Sequence, residues 1–555
     1  MKKGDILQGI VQKVSFPNIG IVDCNGEKVQ VKNVIPGQRV ELRITKKRSG
    51  RPVGMLLQVL EQGPGQIPSD CPHFDPVAGC GGCNYRTMSK EDQLLMKKEQ
   101  VAEILREVYI NPDDPKNKED GFDRIFEGIK SSPKHTEFRN KMEFSFGDSY
   151  KDGPLALGMH KRGGFYDILT VDCCRLVDDD FRLILRSVLH YTSKLSLTFF
   201  HRMRQEGYLR HLLVRKAERT GEILIALVTT SAYDRSSAGD MDAADITEEE
   251  MLRGLVGELC KLKSHRSETL SDGDGSAHLS GTIAGIIHIV NDAVADVVRC
   301  DKSTLLYGQD HITEELLGMR FKISPFSFFQ TNTGGAEVLY ETVREYCRSA
   351  GTDYNESGNS TGSKKPVIFD LYSGTGTIAQ MMAPVASKVV GVEIVEEAVE
   401  AAKENAKQNG LHNCEFIAGD VLKVIDEIGD RPDLIILDPP RDGIHPKALP
   451  KILAYGVKNI VYISCKPTSL ARDLAIMQEA GYYPRRICAV DLFPGTVHVE
   501  TIVSLVNIGA KPDFTVPVKV DVDDYYRTIG EENRHFLENR QLADEKKKDK
   551  DSESK

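Results

Sequence analysis

Short alternating segments dominate the first 62 residues of the chain. Apolar and polar positions alternate in five runs, which are DILQGIVQKV, NIGIVDCNG, EKVQVKNV, QRVELRITKK and GMLLQVLEQG. A period of two is typical of strands with one buried face. Asn25-Gly26 stands between two of these runs, and this dipeptide favours a tight hairpin. The pattern predicts a small five-stranded barrel of the OB kind over residues 1–63.

The next segment, 64–323, mixes helical and strand patterns. SKEDQLLMKKEQVAEILREV predicts a helix with Ser89 as its N-cap and Asp92 supporting the first turn. RNKMEFSFG, FYDILTV and EILIALVTT predict strands. A polar insert near 230–282 surrounds the helix-like TEEEMLRGLVGELCKL. We expect a central α+β domain here.

Strands alternate with helices in the third segment, 324–508. VIFDLYSGTG, VVGVEI, LIILDPP and NIVYISC predict strands, and VEEAVEAAKENAKQNG predicts a helix ending at Gly410. Strands separated by helices indicate a doubly wound, Rossmann-like parallel sheet, so the predicted fold class is multidomain α/β. Residues 350–366 are typical of a linker. The final segment, 509–555, is charged, and we predict that it is disordered.

Length and composition narrow the class of protein. A chain of 555 residues is too long for one core, so three or four domains are expected. No window approaches the roughly 18 apolar residues of a membrane span, and the first residues lack the apolar run of a signal peptide. We therefore expect a cytoplasmic protein with no membrane partner. In that compartment, twelve cysteines are more typical of metal sites or catalysis than of disulfides.

Charge is distributed unevenly along the chain. The net charge of −10 does not suggest a nucleic-acid partner. Residues 1–63, however, hold eleven Lys and Arg against five Asp and Glu, a difference of +6. A basic module is compatible with RNA binding, and equally with a solvated charged face.

The segment DLYSGTG follows a predicted strand and opens a predicted helix. Gly374 and Gly376 let the backbone approach a ligand, and the helix N-terminus adds N–H donors. A tight turn or a dinucleotide site would also explain a lone G-x-G, but the dinucleotide fingerprint needs a third glycine where this chain has Ala379. Glu393 ends the next strand, where it can bind ribose hydroxyls, and Asp420 can reach an adenine. Together these residues predict an S-adenosylmethionine site.

Three further residues stand at strand ends. Asp438 follows the fourth strand in LDPPR, Cys465 ends the next strand, and Glu500 closes FPGTVHVE on a further strand. Ligands in open α/β sheets bind outside the carboxyl ends of the strands. A cysteine thiolate there can add to carbon 6 of a pyrimidine, and a carboxylate can later remove the proton from carbon 5. A buried structural cysteine and an Asp-Pro-Pro turn are the alternatives.

Five motifs in this order resemble those of RNA uracil-5-methyltransferases, which make 5-methyluridine in bacterial ribosomal and transfer RNA. They are FFQTN (328–332), DLYSGTG, LDPPRDG, SCKPTSLARD and FPGTVHVE. The resemblance runs over nearly all of residues 1–508 and implies that the amino-terminal barrel is an RNA-binding TRAM domain. Arg441 stands where RNA cytosine-5 methyltransferases have a cysteine, which argues against cytosine as the target base.

The resemblance also implies a role for each site residue. Cys465 is the expected nucleophile and Glu500 the expected base, and Phe328 is expected to contact the target base. The implied contacts of the methyl donor, beside the two glycines and Asp420, are Gln330, Tyr372, Glu393 and Asp438. Departures from the family's usual residues occur at Ser373, Lys466 and Gly495. None of these departures removes a reacting group.

A cysteine-rich segment precedes the first predicted helix. CPHFDPVAGCGGC supplies Cys71, Cys80 and Cys83, and TVDCCRL offers Cys173 or Cys174 as a fourth ligand. Four thiolates can hold zinc or a 4Fe–4S cluster, and the residues alone leave both open. The resemblance implies a 4Fe–4S cluster with Cys174 as the fourth ligand. We expect the cluster to be structural or to face RNA.

Two other functions remain open at this level. One is a methyltransferase acting on a small molecule or a protein, which leaves the basic barrel without a role. The other is an RNA-binding or assembly factor with a vestigial donor site. The resemblance favours a monomer that methylates 23S ribosomal RNA, with transfer RNA as the alternative substrate.

Overall fold

The computed structural model describes nine segments of the chain. They are residues 1–48, 50–114, 118–164, 166–233, 246–262, 278–294, 299–350, 365–424 and 428–508. Most of the predicted polar insert at 230–282 and of the predicted linker at 350–366 lies outside the described residues. The predicted disordered tail, 509–555, lies wholly outside them.

The first five strands form a closed barrel, as predicted. They are β1 (Ile6–Ser15), β2 (Ile19–Cys24), β3 (Glu27–Lys32), β4 (Arg39–Arg48) and β5 (Arg51–Glu61). The barrel closes in the order β1-β2-β3-β5-β4. Asn25 and Gly26 make the predicted hairpin turn with φ angles of 57° and 86°. Val22, Val29 and Val40 are buried in the interior because alternate positions of each strand face inward.

Two helices and a strand follow the barrel. They are α1 (Lys90–Val108), α2 (Lys118–Ile125) and β6 (Phe126–Ser131). The Ser89 side chain accepts a hydrogen bond from the Asp92 N–H at 3.1 Å, so the predicted N-cap is confirmed. Gln100 Nε2 donates to Val14 O at 2.8 Å and ties α1 to the barrel.

A seven-stranded sheet occupies the middle of the chain, in the order β13-β12-β11-β10-β7-β8-β9. Its elements, with two helices, are β7 (Lys141–Asp148), β8 (Leu155–His160), β9 (Ile168–Thr170), α3 (Asp179–Lys194), β10 (Leu209–Lys216), β11 (Glu222–Thr229), α4 (Glu248–Lys261), β12 (Thr282–Val290) and β13 (Lys302–Gly308). α4 is the helix predicted within the polar insert, and it begins with a capping box between Thr247 and Glu250. Both helices bury apolar side chains, such as Ile184 and Leu255, in the same core as the sheet.

A hairpin and a long helix lead into the last sheet. They are β14 (Ile312–Leu316), β15 (Met319–Ile323) and α5 (Thr333–Ala350). The motif FFQTN occupies the loop between β15 and α5.

The last sheet has eight strands in the order β18-β17-β16-β19-β20-β22-β21-β6. Its remaining elements are β16 (Val367–Leu371), α6 (Thr377–Met382), β17 (Lys388–Glu393), α7 (Glu396–Gln408), β18 (Cys414–Ala418), α8 (Val421–Val424), β19 (Leu434–Leu437), α9 (Ala448–Ala454), β20 (Asn459–Ser464), α10 (Pro467–Glu479), β21 (Tyr482–Asp491) and β22 (Glu500–Asn507). β16 to β20 are parallel, as predicted, and β22 runs antiparallel to β20 and β21. Ile368 and Phe369 are buried in separate cores on opposite faces of the sheet.

One edge strand of this sheet comes from an earlier part of the chain. β6, which belongs to the segment 64–323, pairs parallel with β21 and forms the edge strand of the last sheet. The segments 64–323 and 324–508 therefore share one sheet. FEGIKS is not among the predicted strands, because its apolar residues do not alternate with polar ones.

No helix among the described residues is both long enough and apolar enough to cross a lipid bilayer.

Candidate active site

The predicted site residues follow the carboxyl ends of neighbouring strands. Tyr372 comes directly after β16, Glu393 ends β17, and Asp420 lies two residues beyond β18. Asp438 comes directly after β19, and Cys465 directly after β20. Because these five strands are parallel, their carboxyl ends share one edge of the sheet. The structure therefore brings these predicted residues to the same edge.

The glycine loop, residues 372–376, has a backbone conformation that depends on its glycines. Gly374 and Gly376 have φ angles of 53° and 72°, in the left-handed region. A Cβ atom at Gly376 would lie 2.5 Å from the Phe416 ring, so this glycine is required for packing. A Cβ atom at Gly374 would meet nothing within 4 Å, so this position faces open space where a ligand can approach.

Glu393 holds the glycine loop to the start of α7. Its Oε2 accepts a hydrogen bond from the Gly374 N–H at 3.0 Å. Its Oε1 accepts from the N–H groups of Ile394 and Val395 at 2.9 and 3.0 Å. These bonds fix the orientation of the carboxylate. Oε1 already accepts two hydrogen bonds, whereas Oε2 accepts one and keeps a lone pair that can accept from a ligand hydroxyl.

Glu500 reaches the same edge from the opposite direction. β22 is antiparallel to β20, and its register pairs Thr501 with Ser464. Cys465 follows Ser464 and Glu500 precedes Thr501, so the two residues lie side by side at the end of this pairing, and the Glu500 charge acts on the Cys465 thiol. The Glu500 side chain is buried, with 4% of its surface exposed, and Cys465 is half-buried. A thiol and a carboxyl group are therefore neighbours in a largely water-excluded place.

Burial changes the acidity of all three groups at this edge. It raises the pKa of Asp438 to about 7. Burial and the nearby Asp438 charge raise the pKa of Glu500 to about 8, and the Arg441 guanidinium opposes this shift only in part. Burial, with the charges of Glu500 and Asp438, raises the pKa of the Cys465 thiol to about 12. The carboxyl groups of Asp438 and Glu500 can therefore each gain or lose a proton near neutral pH.

The raised pKa of Glu500 predicts a pH-dependent stability difference between the protein and its Glu500→Gln variant. The carboxyl group binds its proton more tightly in the folded state than in the unfolded state. Its contribution to the free energy of unfolding is therefore fully present at low pH and is lost as pH rises through about 8. One such group weakens folding by about 1.4 kcal/mol per pH unit between its unfolded and folded pKa values. We expect Glu500→Gln to gain thermal stability relative to the wild type as pH rises from about 5 to about 8. The measurement is the melting temperature of both proteins at each pH in this range. A difference in melting temperature that stays constant with pH would contradict the prediction.

The loop between β15 and α5 lies against the glycine loop. Thr375 Oγ1 donates to Phe328 O at 3.3 Å, and Asn140 Nδ2 donates to Gln330 O at 3.2 Å. The Phe328 side chain is 70% exposed. A large aromatic ring without cover at the edge of the candidate site is available to stack on a planar ligand.

A buried lysine that the sequence analysis did not single out holds the loop before Glu500. Lys97 Nζ donates to Asp491 Oδ1 at 2.6 Å, to His498 O at 2.9 Å and to Phe493 O at 3.2 Å. Lys97 and Asp491 are both almost fully buried. The sequence indicates that Lys97 is buried, since it falls on the face of α1 that also carries Val101. The sequence does not indicate which residue pairs with Lys97.

The four predicted ligand cysteines line one pocket. Cys71, Cys80, Cys83 and Cys174 share it with apolar side chains that include Met142 and Leu176. Burial raises the pKa of the thiols of Cys80, Cys83 and Cys174, and the neighbouring thiols add to this shift. The Gly82 N–H donates to Cys80 Sγ at 3.4 Å. Such a donor set suits a soft metal ion or an iron–sulfur cluster.

Cys173 does not line this pocket. Cys173 is exposed, and its N–H donates to His73 Nε2 at 3.2 Å. The ligand atoms of His73, Asp172 and Cys173 lie within 4.8 Å of one another, a grouping that the sequence did not suggest.

The cysteine segment also contacts the loop that precedes Glu500. The N–H groups of Asn84 and Tyr85 donate to Gly495 O at 2.8 and 3.1 Å. Gly495 N–H in turn donates to Gln93 Oε1 at 2.8 Å. The pocket of cysteines and the carboxyl group of Glu500 are therefore joined through one short loop.

Comparison with known proteins assigns the chain to a family. Residues 363–505 match the family model of a methyltransferase domain. A relative from Clostridium tetani, named an uncharacterized RNA methyltransferase, is 44% identical over 505 residues, which cover 91% of this chain and 98% of the relative. A second, from Caldanaerobacter subterraneus, is 42% identical over 502 residues, which cover 90% of this chain and 99% of the relative.

A solved structure shows the same fold. The crystal structure of the Pyrococcus abyssi tRNA (uracil-54, C5)-methyltransferase in complex with S-adenosyl-L-homocysteine matches with a TM-score of 0.63 at 23% identity. The match covers 90% of this chain and 99% of that one. The barrel and the carboxyl-terminal sheet thus belong to an architecture known from methyltransferases. With relatives that are 44% and 42% identical over nearly their whole length, the chain belongs to the family of RNA methyltransferases.

Proposed function

We propose that the protein methylates carbon 5 of a uridine in RNA, with S-adenosylmethionine as the methyl donor. The observation that carries this proposal is the closeness of the Cys465 thiol to the Glu500 carboxyl group, at the sheet edge that bears the glycine loop. Both residues come directly beside the last paired residues of β20 and β22, Ser464 and Thr501. Carbon 5 of uracil is a weak nucleophile, so its methylation needs a group that adds to carbon 6 and a base that removes a proton. Methylation of a nitrogen or an oxygen atom needs no such thiol.

The proposed donor site is formed by side chains and backbone of several loops. Its residues are Gln330, Tyr372, Gly374, Gly376, Glu393, Asp420 and Asp438. Glu393 would accept hydrogen bonds from the ribose hydroxyls, and Asp420 would bind near the adenine. The open space at Gly374 supports a close approach of ligand to backbone. S-adenosylmethionine, when bound, supplies an electrophilic methyl group.

The proposed reaction begins at Cys465. The thiol first gives up its proton to the neighbouring Asp438 carboxylate, because burial holds the pKa of this thiol well above neutral pH. The thiolate adds to carbon 6 of the uracil, and the electron pair of the ring double bond makes carbon 5 nucleophilic. Carbon 5 then accepts the methyl group, and S-adenosylhomocysteine leaves. Glu500 removes the remaining proton from carbon 5, the ring double bond re-forms, and the bond between Cys465 and carbon 6 breaks. The exposed ring of Phe328 is proposed to contact the target base.

The proposed substrate is 23S ribosomal RNA. The excess of eleven basic over five acidic residues in the first 63 residues supports binding to RNA phosphates. By analogy, members of the resembled family that have both a barrel and a cluster favour 23S ribosomal RNA over transfer RNA. Transfer RNA is the alternative, which the name of the Pyrococcus abyssi enzyme also describes.

A direct assay tests the proposed function. The protein is incubated with labelled S-adenosylmethionine and, separately, with 23S ribosomal RNA and transfer RNA from cells that lack the gene. We expect label in 5-methyluridine from the ribosomal RNA, and none with the Cys465→Ala variant. Label in transfer RNA alone would change the substrate. Label in 5-methylcytidine, or no label at all, would overturn the proposed reaction.

The pocket of Cys71, Cys80, Cys83 and Cys174 is proposed to hold a 4Fe–4S cluster. Four thiolate sulfurs in an apolar pocket, with a backbone N–H directed at one of them, support this assignment. Zinc also accepts four thiolates, so colour and metal content decide between the two. The reaction at Cys465 transfers no electrons, so the cluster needs no redox role. We propose that the cluster is structural and holds the segment that contacts Gly495.

Two serine substitutions test the cluster. We expect the protein purified without dioxygen to be brown and to lose its visible absorption in air. Cys83→Ser and Cys174→Ser should each remove the colour, because a cluster loses a thiolate ligand. Cys173→Ser is the matched control, since that neighbouring cysteine lies outside the pocket, and it should stay brown. Absorption spectra and iron and sulfide content measure this. A colourless protein with one equivalent of zinc would contradict it.

A further inference from the structure

A second concave site lies in the seven-stranded sheet. It is formed where β7 ends and β10 begins, and it is a shallow depression that opens to solvent. Its lining includes the side chains of Tyr166, Phe199, Phe200, His201, Arg202 and Arg210. None of these residues belongs to the candidate active site or to the pocket of cysteines.

The lining combines aromatic rings with cationic groups. The Arg210 guanidinium lies 4.4 Å from the centre of the Phe200 ring, and the rings of Phe199 and His201 lie 6.4 Å apart. Arg210 is buried and donates to the carbonyls of Asn291 and Ala293, so it supports the Phe200 ring and Arg202 is the cation that faces solvent. Tyr166 is 58% exposed, and Arg202 is exposed at the rim. Aromatic rings beside arginine are the surface on which single-stranded nucleic acids stack their bases and place their phosphates.

One acidic group also lines this pocket. Asp148 Oδ2 accepts a hydrogen bond from the Asp152 N–H at 2.9 Å. A carboxylate can additionally accept from the amino group of a base, most directly that of cytosine. The pocket thus offers a stacking face, a cation for phosphate and an acceptor for a base edge.

Two strands connect this pocket to the candidate active site. Asn140, just before β7, donates to Gln330 O, whereas Asp148 at the other end of β7 lines the pocket. Arg215 on β10 donates to Pro325 O, whereas Arg210 lines the pocket. At about 3.4 Å per residue, five to eight residues of strand separate the two places by roughly 17–27 Å.

We propose that this pocket binds an unpaired nucleobase of the RNA substrate, with the adjacent phosphate at Arg202. The proposal rests on RNA being the substrate. Such a second anchor would let the enzyme recognise unpaired RNA beyond the target base.

The first test compares two exposed tyrosines. Full-length protein without methyl donor is titrated into a labelled single-stranded RNA of about 20 nucleotides, long enough to span both sites. Tyr166→Ala should weaken binding by roughly 5- to 100-fold, the usual loss of one base–aromatic stack. Tyr150→Ala is the matched control, because Tyr150 is 63% exposed and does not line the pocket. It should leave the dissociation constant unchanged. Equal losses, or no loss with Tyr166→Ala, would overturn the proposal.

The second test concerns Arg202. Arg202→Ala should lower the salt dependence of binding by about 0.7 in the slope of log K against log salt, the value of one phosphate contact on a single strand. Arg253→Ala, which removes an exposed arginine from α4, should leave the slope unchanged. Unchanged slopes for both variants would remove Arg202 from the site.

These measurements are independent of methylation. If no 5-methyluridine is formed while Tyr166→Ala still binds RNA more weakly than Tyr150→Ala, the nucleobase pocket stands and the proposed reaction falls. If 5-methyluridine is formed and both tyrosine variants bind RNA like the wild type, the reaction stands and the pocket is disproved. Annealing the RNA to its complement provides a further check, since pairing should abolish the difference between the two variants.

Discussion

The Glu500→Gln variant is expected to accumulate a covalent complex with RNA. Addition of Cys465 to carbon 6 and methyl transfer to carbon 5 do not consume the proton that Glu500 removes. The product can leave only after that proton is lost. Removal of a general base typically costs ~10²–10⁴ in rate, so the methylated adduct should build up over minutes. Denaturing gels with label in the methyl donor should show RNA attached to protein.

Two controls separate a base from a structural carboxyl group. Cys465→Ala in the Glu500→Gln background should erase the adduct, because the covalent bond is lost. Glutamine is nearly isosteric with glutamate, so donor affinity should persist. If Glu500→Gln instead forms no adduct and binds the donor weakly, Glu500 is a donor contact or a structural group. Asp438, with its pKa raised to about 7 by burial, is then the next candidate for the base.

The Cys465→Ala variant is expected to lose turnover completely while it retains the methyl donor. The nucleophile follows β20, whereas the proposed donor contacts follow β16 to β19 and the loop before α5. Removing the thiol therefore leaves the donor site intact. Turnover is measured as 5-methyluridine, and donor affinity by calorimetry with S-adenosylhomocysteine.

A conservative change elsewhere provides the comparison for this loss. Cys488→Ala alters a buried cysteine of β21 that lies in the core, so it should reduce stability and leave the chemistry in place. A parallel fall in donor affinity and rate for Cys465→Ala would argue against a nucleophilic role. Residual turnover within tenfold of the wild type would also exclude it.

Local sequence patterns were sufficient for most of the candidate site. Strands separated by helices predict a parallel sheet, and in such a sheet every strand ends at the same edge. Glu393, Asp438 and Cys465 could therefore be placed together from their positions at strand ends. Gly376 was predicted to let the backbone approach a ligand, whereas the structure gives a packing reason, since a Cβ atom there would lie 2.5 Å from the Phe416 ring.

Long-range pairings could not be predicted in the same way. Residues 126–131 were not predicted as a strand, and their pairing with β21 is set by an edge formed more than 350 residues later. The same holds for Lys97, whose partner Asp491 is 394 positions away. The spacing of apolar residues along an element shows which of its faces is buried. It does not show which strand or residue contacts that face.

The buried ion pair between Lys97 and Asp491 has a consequence for folding during synthesis on the ribosome. At roughly 5–20 residues per second, about 20–80 s pass between the appearance of the two residues. During this delay α1 has a lysine on its apolar face without its acceptor, and β6 has no neighbouring strand from the last sheet. The amino-terminal barrel makes its own closed set of strand pairs and can fold at once. The nascent chain is therefore expected to have a folded barrel followed by a segment, α1 to β6, that exposes apolar and unpaired groups. We expect chaperones to bind this segment until the final strands have been synthesised.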